Sequence, residues 1–226
     1  MAKKRYTKYI LFIGIALFLL IILLDFLLGI KAYYYESIAF ILLLIGFYKF
    51  YEKLRLNTPL FIALILSCMV HSLGVFGWYN VSPIGIPWDY VTHFFPFLIV
   101  AIFFFHILSP HMSEKFSFKA LVLILLVFFA TLGIGSAVEN VEYVGYLILG
   151  EGEGGLKFGT GDVSMDKQVE RNIEITVGGW YNTMNDLINN LLGAALGTIL
   201  MALHKYCWPK KKKPERITRR KVRKIK

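Results

Sequence analysis

Three pairs of polar side chains stand at helical spacing within apolar stretches of the chain: Asp89 and His93, Glu139 and Glu142, Asp186 and Asn190. Residues three or four apart share a helix face, so each pair points both groups the same way. Carboxylates, an imidazole and a carboxamide are the groups that ligate cations and that hold and pass protons. These six residues are the candidate acid/base or catalytic groups. His71 lies in another apolar stretch, and with His93, Glu139, Glu142 and Asp186 it makes up the candidate metal-ligand set.

The four carboxylates Asp89, Glu139, Glu142 and Asp186 cannot all stay ionised in a low-dielectric setting without compensation. They must pair with cations, share protons, bind a metal or meet water. Lys31, Lys157, Lys167 and Arg171 are the few basic side chains on their side of the chain. One outcome is a metal site of oxygen and nitrogen ligands. With no cysteine in the set, Zn, Mn or Mg fits better than a thiolate-selected metal. A second is an acid/base pocket for hydrolysis or group transfer. A third is an ion or proton path, which needs polar residues through the inner halves of the spans as well, and those are absent.

The elements that carry the pairs read as membrane spans. The chain is 57% hydrophobic over 226 residues, with a mean hydropathy of +0.59. Several runs of about 18 or more apolar residues carry almost no charge, which marks a membrane helix. The expected spans are 10–30, 33–51, 59–76, 89–108, 120–149 and 186–204, with an outer loop at 150–185. Residues 1–204 then form one membrane domain, followed by a basic tail at 205–226. The fold class is all-α: a polytopic integral membrane helical bundle of about six transmembrane helices. The start of the chain is basic, but its apolar run is too long for a signal peptide and has no small-residue cleavage site, so it reads as a retained helix. The fifth span is longer than a bilayer core, so it either projects from the membrane or breaks near Gly133 and Gly135.

Charge orients the bundle. Of the 25 Lys and Arg residues, 21 fall on the side of the termini, whereas 12 of the 15 acids fall on the other. The positive-inside rule makes the termini cytoplasmic. The tail is then an orientation signal that also touches anionic lipid headgroups. Nucleic acid is not an expected partner despite the net charge of +10, because no aromatic residue interleaves the basic run. Cys68 and Cys207 fall at opposite depths, so a disulfide between them is not expected.

Each residue also has a plain structural explanation. Asp89 and Asp186 each open an expected span, where an acid favours the positive end of the helix dipole. His71 fits a hydrogen-bonded core histidine. Glu139 and Glu142 fit the water interface, as do Asp25 and Glu36. Gly193 and Gly197 form a small-residue packing motif. In the long loop, Asp162, Ser164 and Asp166 begin like a calcium loop but lack its glycine and terminal glutamate. The glycines of 150–161 are too acidic in context for a phosphate cradle. Ile173 to Val177 alternate like a short strand.

The order Asp89-x3-His93, Glu139-x2-Glu142, Asp186-x3-Asn190-x2-Gly193-x3-Gly197 resembles VanZ-like membrane proteins. The stretches Phe158-Gly159-Thr160-Gly161-Asp162 and Trp180 to Asp186 resemble the YjdF-like group of bacterial inner-membrane proteins. The likeness covers about 70–200. The gap from Glu142 to Asp186 is longer than in VanZ-like chains. The resemblance implies a multi-pass location in the bacterial inner (plasma) membrane and no particular reaction.

Three functions follow as expectations. The first is a metal-assisted or acid/base enzyme acting on a lipid or lipid-linked envelope substrate at the outer side. The second is a non-catalytic binder or sensor of a lipid, cation or antibiotic. The third is a small transporter.

Overall fold

The computed structural model describes residues 2–29, 33–79, 81–149 and 170–208, with backbone alone at 2–5, 142, 145–149 and 170–181. Every regular element among the described residues is a helix, with no strand. The six helices are α1 (Ala2–Leu28), α2 (Tyr34–Lys49), α3 (Thr58–Ser72), α4 (Trp88–Leu108), α5 (Phe118–Leu149) and α6 (Glu170–Cys207). Short 3-10 turns, Leu73–Phe76 and Ser109–His111, extend α3 and α4.

Five segments are long and apolar enough to cross a membrane: Tyr6–Leu28, Thr58–Phe76, Trp88–His111, Phe118–Val141 and Asn182–Cys207. At 16 residues α2 is shorter than these. It still runs the height of the bundle. Near its start, Glu36 accepts a hydrogen bond from Ser72 at the far end of α3. Just beyond its end, the Arg55 carbonyl meets His106 Nε2 near the close of α4, at 2.6 Å. Large apolar side chains such as Ile13, Leu42, Phe129 and Ile199 are exposed on the outer helix faces. Water does not tolerate so continuous an apolar exterior and lipid does. The protein is a polytopic helical membrane protein.

The ends of the bundle differ in chemistry. At the end holding the α1 start, the α6 close and the α2–α3 and α4–α5 connections, the interior is apolar. Leu11, Leu56, Leu60, Phe61 and Phe103 pack there, and Ala101, Phe105, Met112 and Val127 continue the layer. Lys205 Nζ and Tyr206 Oη of α6 donate to the Ser109 and Ser113 carbonyls at this end. Asn57 starts α3 as an N-cap, its Oδ1 accepting from the Leu60 N–H at 2.9 Å. The opposite end holds the buried carboxylates Asp25, Glu36, Glu139 and Asp186, with His93.

Two expectations change. α6 begins at Glu170 rather than near Asp186, so 170–185 are helical and not loop, and Ile173 to Val177 are not strand-like. Ile173, Val177, Trp180 and Met184 recur at helical spacing, and over that longer window they outweigh the brief alternation. The fifth helix does not break at its glycines: α5 is continuous for 32 residues, about 48 Å at 1.5 Å per residue, and projects past a ~30 Å core. The readings made for 150–169 and the tail beyond 208, including Lys157, Lys167 and the Asp162 motif, lie outside the described residues. So do Lys31 and the side chains of Glu142 and Arg171.

Cys68 is buried and Cys207 exposed, and both are free thiols.

Candidate metal centre

The α4–α6 contact brings two of the sequence pairs together. α4 packs more extensively against α6 than against any other helix. Glycine makes this possible. A Cβ on Gly193 would collide with the Phe94 carbonyl oxygen, and one on Gly197 with the Leu98 carbonyl oxygen. The two backbones therefore touch where any side chain would hold them apart. One turn up α6 from Gly193 comes Asn190, then Asp186; next to Phe94 on α4 comes His93, and one turn above it Asp89. On α5, Gly135 leaves room for the Asn190 side chain, since a Cβ there would lie 3.0 Å from its Nδ2. One turn further along α5 stands Glu139.

His93 sits at the centre of the group. Its Nε2 faces two carboxylates, Asp89 Oδ1 at 3.5 Å and Asp186 Oδ1 at 3.6 Å. Its Nδ1 faces Asn190 Oδ1 at 3.2 Å and Glu139 Oε1 at 3.4 Å. Asn190 Nδ2 donates to Glu139 Oε1 at 3.4 Å, and Asn182 Nδ2 donates to Asp186 Oδ2 at 2.9 Å. His93, Glu139, Asn182, Asp186 and Asn190 are buried, and Asp89 is partly so.

Acceptors face both ring nitrogens, and one tautomer suits a metal. An Nδ1–H given to Asn190 or Glu139 leaves Nε2 with a lone pair directed between Asp89 and Asp186. An imidazole held by a neighbour at one nitrogen and free to ligate at the other is the usual form at metal centres. One donor atom each from Asp89, His93 and Asp186 lie within 4.8 Å of one another. Ligands at ~2.1 Å in a tetrahedron stand about 3.4 Å apart, close to the two spacings around Nε2. This donor set of two carboxylates and an imidazole fits Zn or Mn.

A cleft of about 280 Å³ between α5 and α6 adjoins the group. It is lined by Leu132, Met184, Leu187, Ile188 and Leu191, with Ser136 and Asn190 as its polar residues. Ile188 and Leu191 are exposed, so the cleft meets the outer surface of the bundle. Asn190 thus faces both the apolar cleft and the carboxylate–imidazole group.

Not every expected ligand joins. His71 lies apart: its Nδ1 is 3.0 Å from Glu36 Oε1, which also accepts from Ser72 Oγ at 3.0 Å. The interfacial reading of Asp25 and Glu36 fails, because the two are only 1% and 2% exposed. The capping reading of Asp186 fails as well, since α6 begins well before it. Asp89 is in the first turn of α4, but the N-cap is Pro87, with no side-chain cap bond. Asn182, which holds Asp186, was missed; its signal was its place one turn before that acid. Tyr79 was also missed. Its ring packs over Gly74 and lies 5.8 Å from that of His71. Burial, followed by the Glu36 carboxylate, pushes the Tyr79 and Tyr33 hydroxyls above the usual phenol range. Both therefore remain neutral donors.

A family model described as "Predicted membrane protein (DUF2238)" matches residues 7–206. No curated protein matches the chain, and no solved structure does.

Proposed function

The chain belongs to the DUF2238 family of predicted membrane proteins, and from that premise we propose that it holds a divalent cation at Asp89, His93 and Asp186 and acts on a lipid or lipid-linked substrate at the outer side of the membrane. The observation that carries this is the convergence of three ligand atoms from α4 and α6 to within 4.8 Å in a buried setting. The cleft supports the substrate class, since its apolar walls suit an acyl or polyprenyl chain and Asn190 stands beside it. A cation bound there would supply a Lewis acid for a phosphoryl or carbonyl oxygen. Asn190 Oδ1 accepts a hydrogen bond from His93 Nδ1–H and orients the ring. Glu139 Oε1, beside that nitrogen, is the group able to accept a proton from it.

In this reading the protein resembles YjdF-like and VanZ-like chains and spans the bacterial inner membrane with six helices, including α2. Both termini face the cytoplasm, and the basic tail lies against anionic headgroups. Glu142 belongs to the same outer layer.

Elemental analysis of purified protein, with H93A and D186N beside it, tests the cation. A metal content unchanged in both variants overturns the centre. Lipid headgroup turnover that needs those residues supports the enzyme. Retained lipid binding without turnover supports a binder, and residue-dependent uptake into proteoliposomes a transporter.

A further inference from the structure

A second carboxylate–imidazole contact is buried where α1, α2 and α3 meet, and the site proposed above does not use it. We propose that this pocket, formed by Asp25, Glu36, Ser72 and Tyr79, is a second cation site that takes a hard divalent cation through oxygen donors.

Glu36 Oε1 accepts a hydrogen bond from Ser72 Oγ at 3.0 Å and lies 3.0 Å from His71 Nδ1. Glu36 Oε2 is sealed from solvent and has no hydrogen-bond partner. Asp25 is as deeply buried, and neither of its oxygens makes a hydrogen bond of ordinary geometry, although the Tyr33 backbone N–H approaches. Asp25 and Glu36 lie within electrostatic reach of each other. Tyr79 Oη is likewise sealed from solvent and makes no hydrogen bond of ordinary geometry, although the Thr92 side chain approaches it.

Buried acceptors without donors are rare, and each one asks for a missing partner. A phenol donates a proton but cancels no charge. If His71 is protonated it balances one carboxylate and leaves the other. A cation held by the bare oxygens of Asp25 and Glu36 satisfies both demands. Carboxylate and hydroxyl oxygens, with no thiol and with the imidazole already turned to Glu36, select a hard ion of the Mg, Ca or Mn type. The second set of oxygens draws on α1, α2 and α3, whereas the first centre draws on α4 and α6.

Mn²⁺ is the probe, since it accepts both donor sets. It is counted by equilibrium dialysis on full-length chain in nanodiscs after chelation. The wild-type chain should take up about two ions, falling to about one in E36Q, in D25N and in H93A. Circular dichroism checks the fold of each variant, and if E36Q does not fold, D25N supplies the same readout. A count that falls in H93A but in neither E36Q nor D25N overturns the second site. So does a single ion in the wild-type chain that only H93A removes. A count that falls in E36Q and D25N but not in H93A supports the second site even as the first centre fails.

Discussion

His93 Nε2 stands 3.6 Å from Asp186 Oδ1, across the contact of α4 with α6. Asp89 Oδ1 lies 3.5 Å from the same nitrogen. If this edge of the ring holds a cation, H93A and D186N should each abolish tight Zn²⁺ or Mn²⁺ binding, measured by isothermal titration. Acidification should weaken binding in the wild-type chain, because protons compete with the ion for Nε2 and for the carboxylates. Affinity that rises as pH falls would contradict the assignment.

Asn190 and Asn182 act on the ligands rather than on the ion. N190L removes the amide partner of His93 Nδ1 and leaves only Glu139 beside it, and N182A removes the donor to Asp186 Oδ2. Each should weaken cation affinity by about 10- to 100-fold, the usual effect of losing an orienting partner. Thermal melts without metal should move much less than those of H93A with metal. An affinity equal to wild type in both variants would show that the two amides do not position the ligands.

Gly193 sets the distance between the two ligand-bearing helices. G193A forces its new methyl against the Phe94 carbonyl oxygen. The expected cost is about 1–3 kcal/mol, as for overpacking, with cation binding lost as Asp186 moves off His93. G133A is the control, since nothing lies within 4 Å of that site. It should be neutral or gain up to ~1 kcal/mol from helix propensity. Melting temperatures and metal titrations on both variants decide.

The α5–α6 cleft can be filled without touching the ligands. L191W and I188W place a large ring in it or at its mouth. Bound lipid measured by mass spectrometry should fall, while Mn²⁺ affinity stays within about twofold. If both fall together, the cleft and the centre are not separable.

At the apolar end, N57A removes the Asn57 cap from the Leu60 N–H. It should cost about 1 kcal/mol of stability and leave metal affinity unchanged. A change in affinity would mean that the two ends of the bundle are coupled.

The sequence alone determined the membrane bundle and the pairs at one helix face, because hydropathy and a 3.6-residue period are local properties of the chain. Asp89 with His93 and Asp186 with Asn190 were legible for that reason. What the period cannot say is which helix a face meets. Only the tertiary structure brought these two pairs together, through the backbone contact at Gly193 and Gly197, and sent His71 to Glu36 instead of to His93. It buried Asp25 and Glu36, whose positions near helix ends had pointed to the interface. It carried α6 back to Glu170, where a short alternating stretch had hidden a longer helical repeat. Interhelical packing decided each of these, since it depends on shape along two surfaces at once and one strand of sequence records only its own half.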